Sequence, residues 1–168
     1  MYVNKFDKNG ECAKRGTIAE QKFEQWLINN GRKYRHATKE EQYRHVDFII
    51  EHPEYVVTVD IKAPKKQSRN GNIDEDILWV EFKNVLGNAG WLYGGNEFLA
   101  FYTQKEDAFY VIRTPELAML CERLCNQGYI SNPKDALYKR YTRDGRKDEI
   151  SMIKFSDIMK AEFWRIQC

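Results

Sequence analysis

The chain has 168 residues, of which 42% are hydrophobic and 14% aromatic. This composition indicates a folded domain with a substantial core and excludes a disordered chain. The formal net charge is only +2, so nucleic-acid binding would require local clusters of basic residues rather than an overall positive charge.

The sequence carries no targeting or membrane signal. No stretch has the apolar length of a signal peptide or a transmembrane helix, which predicts no membrane association. The four cysteines lack paired zinc spacing, and Cys121 and Cys125 stand four apart in a helical pattern. This spacing is typical of buried thiols on one helix face. Together these features predict a reduced, cytoplasmic compartment.

Secondary structure is predicted from hydrophobic periodicity and from turn residues. The first helix is expected at residues 17–30 and ends at Gly31. Strands are predicted at residues 44–51, 55–63, 77–84, 97–103 and 108–113, the last two as a hairpin. A second helix follows at residues 114–127, then a short strand at 149–155 and a final helical turn. This order implies an α/β (α+β) fold, with a mixed central sheet flanked by helices.

The most informative pattern is Asp60-Ile61-Lys62, in the strand predicted at residues 55–63. Because side chains alternate along a strand, Asp60 and Lys62 point to the same face. Asp47 lies at the start of the preceding strand and is only a hairpin away. A charged pair at this spacing also suits a solvated edge, but the rest of this strand is apolar and β-branched, as central strands are.

These residues are suited to binding a divalent cation. Two carboxylates, from Asp47 and Asp60, and the carbonyl of Ile61 are the hard oxygen ligands that Mg²⁺ or Mn²⁺ prefers. Lys62 would orient or deprotonate an attacking water and offset phosphate charge. The pattern therefore predicts metal-assisted cleavage of a phosphodiester.

The pattern resembles the signature of the PD-(D/E)XK nuclease superfamily, a strand acid followed by acid-x-Lys on the next strand. Asp47 matches the first acid and Asp60-Ile61-Lys62 the second element, with Val46 where the signature has proline. The resemblance covers about residues 16–113. It implies a restriction-endonuclease-like core, a Mg²⁺ (or Mn²⁺) cofactor and hydrolysis of DNA.

The resemblance also bears on domain organisation and partners. It implies a single domain over residues 1–168, with a C-terminal extension at about residues 114–168. Small phage-borne or mobile-element members have a similarly compact build without a linker, and nucleases of this type often act as dimers that cut both strands. DNA is therefore the expected partner, with RNA left open, and a homodimer is the expected assembly.

Glu20, on the first predicted helix, matches the helix acid of the superfamily. The resemblance implies that its carboxylate leans over the sheet toward the metal. Thr17 and Glu20 also fit a capping box, in which the carboxylate turns back to the Thr17 backbone N–H. The sequence leaves both interpretations open.

A second acid-x-Lys element, Glu81-Phe82-Lys83, lies on the strand predicted at residues 77–84. A rival arrangement would pair Asp60 with this element. We favour the first arrangement because the interval from Asp47 to Asp60 needs only a tight hairpin. Glu81 is still expected to add a metal ligand from an adjacent strand.

The residues expected to contact nucleic acid form three groups. They are Lys65, Lys66 and Arg69 just after the strand, Trp91 and Tyr93 in a glycine-rich segment, and Arg140 and Arg143 in the basic stretch 134–148. The basic residues would contact phosphates and the aromatic rings would stack on bases. Solvated charges and core packing of at least one aromatic residue are the alternatives.

Three functional hypotheses remain open on the sequence. The first is a metal-dependent nuclease, and the second is a catalytically inactive, nuclease-like module that binds nucleic acid or protein. The third treats the acidic cluster as purely structural ion pairs on the sheet. The sequence contains no phosphate-binding glycine loop, nucleophile elbow, dinucleotide fingerprint or zinc helix motif, which removes the commonest other enzyme classes.

Overall fold

The computed structural model describes residues 10–65 and 72–168. The helices are α1 (Glu11–Asn29), α2 (Lys39–Tyr43), α3 (Thr114–Leu124) and α4 (Phe155–Ile158). The strands are β1 (Lys33–His36), β2 (Phe48–Glu51), β3 (Val56–Lys62), β4 (Ile77–Lys83), β5 (Phe98–Thr103), β6 (Ala108–Arg113), β7 (Tyr129–Ile130), β8 (Arg140–Tyr141), β9 (Glu149–Lys154) and β10 (Phe163–Gln167). None of the described helices is long and apolar enough to cross a membrane.

The strands form two sheets. The larger sheet has the order β1-β2-β3-β5-β6-β10, and the smaller one has the order β4-β9-β8-β7. In the larger sheet β3 and β5 run parallel, whereas the other neighbours are antiparallel. The protein is therefore an α+β fold with a central mixed sheet flanked by helices, which confirms the predicted fold class.

Helix α1 covers one face of the larger sheet because its apolar residues recur at helical spacing. Ala19, Phe23 and Leu27 are at most 2% exposed and pack against Val59 of β3. Burying each of the large side chains contributes about 2 kcal/mol. The helix ends just before Gly31, whose φ of 59° is the left-handed conformation that glycine favours.

The second face of the larger sheet packs against α3 and the smaller sheet. Leu99 and Phe101 of β5 share a buried cluster with Val80 of β4 and with side chains of α3. In the parallel register, Asp60 lies opposite Leu99 and Lys62 opposite Phe101. These two charged side chains consequently belong to a face that is otherwise apolar.

Helix α3 agrees closely with its prediction. It begins at Thr114 with Pro115 in its first turn, where the missing N–H of proline removes no helical hydrogen bond. Cys121 and Cys125 are both fully buried free thiols. The interpretation of this cysteine pair as packed thiols on one helix face is confirmed.

The position of β4 differs from the prediction. The sequence order suggested that β4 would lie beside β3, but β5 holds that place and β4 pairs with β9 in the smaller sheet. A parallel strand pair needs a long crossover connection. Residues 63–97 form this connection and carry β4 across the second face of the larger sheet, so β4 cannot be its neighbour within the sheet.

The C-terminal segment also differs from the prediction. The expected helical turn after the strand at 149–155 is present as α4, but the chain then forms β10, which the sequence did not predict and which pairs antiparallel with β6. Phe163 packs on Tyr110 of β6 with ring centroids 5.6 Å apart, a long-range contact that local sequence cannot reveal. The segment after residue 113 therefore contributes strands to both sheets.

The glycine-rich segment between β4 and β5 lies so close to its neighbours that two glycines have no room for a side chain. A Cβ on Gly90 would lie 2.3 Å from the carbonyl oxygen of Glu81, and one on Gly94 would lie 2.5 Å from Asn96 Oδ1. Between them the chain forms a 3-10 helix, Trp91–Tyr93. The close approaches on both sides fix the position of this short helix.

Replacing Gly90 by alanine is expected to destabilise the fold, because the new Cβ would collide with the backbone of β4. We expect the free energy of unfolding to fall by roughly 1–3 kcal/mol. Gly16 is the matched control, since it lies inside α1 with nothing within 4 Å of an added Cβ. Gly16→Ala should stabilise the protein by up to about 1 kcal/mol. Urea unfolding measures both effects, and equal stability of Gly90→Ala and wild type would contradict the close approach.

Candidate functional site

Asp47 lies immediately before β2, which begins at Phe48, and β3 extends beyond this point. Its backbone N–H donates to the carbonyl of Val59 at 2.9 Å, which extends the ladder by one residue. The next amide on β3, that of Ile61, donates to Asp47 Oδ2 at 2.7 Å. The carboxylate thus takes the place of the next β2 carbonyl. This hydrogen bond fixes Asp47 beside the Asp60-Ile61-Lys62 segment, as the sequence predicted.

Asp60 and Lys62 form a buried ion pair on one face of β3. Asp60 is 3% exposed, and Lys62 Nζ lies 2.7 Å from its Oδ1 and 2.6 Å from its Oδ2. The contact confirms that both side chains share one face. Oδ2 has no hydrogen bond of good geometry among the described residues, so its short contact with the ammonium is a charge pair rather than an aligned hydrogen bond.

The positive charge near the cluster does not balance the negative charge of its carboxylates. Burial, and next the charge of Asp60, raise the pKa of Asp47 to about 7, while Lys62 and the Ile61 N–H oppose this shift. Two carboxylates therefore share a single ammonium group in a poorly solvated place. A bound cation would relieve the repulsion between them.

Glu20 is not part of a capping box. Helix α1 begins at Glu11, so Thr17 lies inside it, and its Oγ1 donates to the carbonyl of Ala13 at 3.1 Å. The Glu20 carboxylate receives no hydrogen bond among the described residues. Partial desolvation, and next the charge of Asp47, raise its pKa, whereas His36 and Lys62 lower it. Glu20 therefore lies within electrostatic reach of the cluster, on the side covered by α1.

Glu81 reaches the cluster from the smaller sheet rather than from a neighbouring strand. Its charge acts on His45, whose pKa is lowered by burial and next by Lys62, and is raised in part by Glu81 and Asp47. His45 lies in the turn before β2 with φ of 61°. The expectation of an adjacent strand was wrong, but Glu81 is still near the site.

The side chains of Glu81 and Lys83, the rival pair, do not face the same cluster. Lys83 Nζ lies 3.1 Å from Glu149 of β9, and a bulge separates Glu81 from Lys83 in the β4–β9 pairing. The arrangement around Asp60 and Lys62 is therefore the one in which acids and ammonium converge.

The oxygen ligands of the cluster fit a Mg²⁺-type ion. Magnesium is usually held by one or two carboxylates, with waters and substrate phosphates completing the shell. Asp47, Asp60 and the Ile61 carbonyl match this requirement, and the buried Asp60 Oδ2 has no geometrically good hydrogen bond among the described residues. Within residues 10–65 and 72–168, no group of three or more His, Cys, Asp or Glu residues is arranged to hold a metal.

Lys65 is the only one of the three lysine and arginine candidates after β3 that falls on described residues. It is exposed, just beyond the end of the strand, and its charge acts on His45. Lys66 and Arg69 lie outside the described residues. The expected phosphate contact at Lys65 is compatible with its position and stays a prediction.

Trp91 and Tyr93 have different environments. Trp91 is 4% exposed and packs edge-on against Phe101 with ring centroids 6.2 Å apart, so the prediction that it stacks on bases is wrong. Tyr93 is 44% exposed, and its hydroxyl is hydrogen-bonded to Glu122. It lines a cavity of about 420 Å³ beside the smaller sheet. Base stacking by Tyr93 stays a prediction.

Arg140 is a structural residue, which corrects the expectation that it contacts nucleic acid. Its guanidinium donates to the carbonyl of Cys125 at 2.8 Å and to Glu149 at 3.0 Å and Glu122 at 2.6 Å. It also lies 3.2 Å from the ring centroid of Phe82. With its side chain only 11% exposed, it has no free edge for a phosphate.

Arg143 is likewise held by an internal carboxylate. Its side chain pairs with Asp148, which is fully buried, and its backbone N–H donates to the same carboxylate at 3.0 Å. Removing a buried acid's partner is costly, so this pair is needed for the fold. A role for Arg143 at the nucleic-acid interface was predicted because its internal partner is not evident from local spacing.

Comparison with known proteins does not place the chain in a family. No protein-family model matches the chain, and no curated protein matches it. Among solved structures, a bacterial homing endonuclease, I-Ssp6803I, matches with a TM-score of 0.46 and 16% identity, over 66% of this chain and 74% of that one. At this level of similarity the match assigns neither an activity nor functional residues to the chain.

Asp47→Asn is expected to stabilise the protein at neutral pH. The pKa of Asp47 is raised from 3.8 to about 7 in the folded state. Between these pH values the folded protein therefore binds a proton that the unfolded chain does not bind. Wild type therefore loses stability as pH rises through this window. Because asparagine does not ionise, the Asp47→Asn variant does not lose stability in this way as pH rises. Relative to wild type, its free energy of unfolding should rise by roughly 3 kcal/mol between about pH 4 and pH 8.

Urea unfolding in EDTA at several pH values measures this difference. Asparagine keeps an oxygen that can accept from the Ile61 N–H, so the hydrogen bond itself is preserved. A difference between variant and wild type that does not change with pH would rule out the charge repulsion.

Proposed function

We propose that the protein is a divalent-metal-dependent nuclease that hydrolyses DNA phosphodiester bonds. The observation that supports this most is the convergence of Asp47 and Asp60 at the start of β2, with the Lys62 ammonium against the Asp60 carboxylate. Two acids and a lysine in a buried, polar corner of an apolar face have no evident structural need. They form a suitable site for metal-assisted hydrolysis.

Each residue of the cluster has a distinct role in the proposal. Asp47, Asp60 and the Ile61 carbonyl would hold Mg²⁺ or Mn²⁺. When bound, the ion supplies Lewis-acid stabilisation of the negative charge that develops on the phosphate. Glu20 from α1 and Glu81 from β4 would orient waters around this centre.

Lys62 handles the proton and the phosphate charge in this proposal. In hydrolysis, a water oxygen forms a bond to phosphorus, the bond from phosphorus to the leaving oxygen breaks, and one proton moves from the water to the leaving group. As an ammonium, Lys62 would orient the water and stabilise the phosphate; it would accept the proton of the water only after releasing its own proton to solvent. Lys65 would seat the DNA backbone beside the site. Cutting both strands would require two copies, so a homodimer belongs to the proposal.

A second candidate function follows from the ion pair itself. Lys62 already contacts both oxygens of Asp60, so the acidic group is largely neutralised without a metal. This observation favours a catalytically inactive, nuclease-like module that binds nucleic acid or protein. Binding of DNA without cleavage in Mg²⁺ or Mn²⁺ would support this alternative.

Asp60→Asn and Lys62→Met should each abolish metal-dependent nicking of plasmid DNA. General acid–base catalysis contributes about 10²- to 10⁴-fold to rate, so we expect losses of at least that size. Wild-type activity should disappear in EDTA and return with Mg²⁺ or Mn²⁺.

Lys83→Met is the matched control for this experiment. It also removes an ammonium beside a carboxylate, that of Glu149, but should leave the nicking rate within about twofold of wild type. Thermal melting in the presence of metal shows whether each variant is folded. A loss in Lys83→Met equal to that in Lys62→Met would favour the rival pair instead.

Lys65→Ala should weaken DNA binding without affecting stability. Loss of one phosphate contact should reduce the slope of log affinity against log salt by about 1. Arg140→Met is the contrasting variant, because Arg140 is saturated by internal partners. It should lower the melting temperature and leave the salt slope unchanged. Fluorescence anisotropy with a labelled duplex in EDTA measures both, and an unchanged slope in Lys65→Ala would exclude that phosphate contact.

A further inference from the structure

Trp91 lies beside the cluster but has no part in the mechanism proposed above. The Lys62 Nζ atom lies over its indole, 5.3 Å from the ring centroid. Indole is the aromatic group that attracts a cation most strongly, and the attraction is larger where water is excluded. Since Trp91 is 4% exposed, this contact is shielded from solvent.

The chain around Trp91 holds the indole in place from two sides. On one side, Gly90 lies against the backbone of Glu81, and its N–H donates to the carbonyl of Phe82 at 2.9 Å. On the other side, a Cβ on Gly94 would lie 2.8 Å from the Cβ of His45. The indole is therefore fixed relative to both β4 and the turn that leads into β2.

The ammonium of Lys62 thus has two partners, the Asp60 carboxylate and the indole face. A divalent cation on Asp60 would need the same oxygens that Lys62 now contacts at 2.6 and 2.7 Å. Two cations repel each other at such distances. The ammonium must then leave those oxygens, and the indole is the partner that would keep it near the site.

We propose that Trp91 is a positioning residue for Lys62, whose ammonium it holds beside the site when a divalent cation occupies the Asp47 and Asp60 carboxylates. The metal-dependent half of this inference, that Trp91 holds the ammonium when a cation is bound, rests on the proposed function. The other half, that the indole contacts the ammonium in the metal-free protein, rests only on the observed contact. Trp91 acts through Lys62 and does not itself contact the substrate.

A purely structural Trp91 would behave differently. Trp91 belongs to the buried cluster around β5 and α3, so any truncation is expected to cost stability. A structural role, however, gives no reason for metal affinity to depend on Trp91 only when Lys62 is present. That dependence separates the two roles.

The test is a double-mutant cycle on Mn²⁺ affinity, measured by calorimetry without DNA. Trp91→Leu should weaken Mn²⁺ binding by about fivefold, since the displaced ammonium loses its cation–π partner. Trp91→Phe keeps an aromatic face and should stay within about twofold of wild type. Lys62→Met should bind Mn²⁺ more tightly than wild type, because the competing ammonium is gone. In that background, Trp91→Leu should change the affinity by less than about twofold.

Leu92→Ala is the matched control, since Leu92 is the next residue of the same short helix and is 1% exposed. It should lower the melting temperature while leaving Mn²⁺ affinity unchanged. Equal weakening by Trp91→Leu and Trp91→Phe, or weakening that persists in Lys62→Met, would overturn the proposal.

NMR of the metal-free protein tests the contact separately from the metal. The ring current of Trp91 should shift the Lys62 ε-protons upfield, and Trp91→Leu should abolish this shift. Absence of the shift in wild type would overturn the proposal whatever Mn²⁺ does. If the shift is present but wild type binds no Mn²⁺, the proposed function and the metal-dependent half fail together, and only the contact remains.

Discussion

The hydrogen bond from the Ile61 amide to the Asp47 carboxylate is the interaction on which the site depends. It holds a second acid next to Asp60 at a point where one ammonium group is available to balance both. Burial and the neighbouring charge raise the pKa of Asp47 to about 7, so at neutral pH the arrangement costs stability. Folded proteins retain such unfavourable charge mainly where a function requires it. The repulsion is therefore the strongest physical reason to regard this cluster as a site.

The architecture places the cluster at the end of β3, between the larger sheet and the segment that contains Trp91. The larger sheet has α1 on one face and the smaller sheet with α3 on the other, and Val59, Asp60 and Ile61 of the central strand β3 are buried. Strand β2 begins at Phe48, opposite Val59, so the last residues of β3 extend beyond it. The glycine-packed segment around Trp91 closes the same corner from the second face. A rigid scaffold thus surrounds a small polar opening.

The features that could be predicted from the sequence are those set by residues close together in the chain. Strand alternation places Asp60 and Lys62 together, and a short hairpin brings Asp47 alongside, so this part of the site followed from spacing alone. The remaining errors involve contacts between distant residues. The sheet position of β4, the strand β10 and the internal partners of Arg140 depend on how the chain returns through space, which no local pattern encodes. The capping box at Thr17, one of the two interpretations that the sequence left open, is excluded because α1 begins six residues earlier, at Glu11.

The ion pairs formed by the basic residues affect how a nucleic acid would be recognised. Arg140 and Arg143 supply positive charge in the sequence, but in the fold their charge is neutralised by Glu122, Glu149 and Asp148. The formal net charge of the chain is only +2, which gives it little overall electrostatic attraction for a polyanion. In the proposed nuclease, a bound divalent ion would be the largest positive charge in the site. The same ion that assists hydrolysis would then also supply much of the attraction for the phosphate, so DNA affinity and catalysis would depend on one acidic cluster rather than on a separate basic groove.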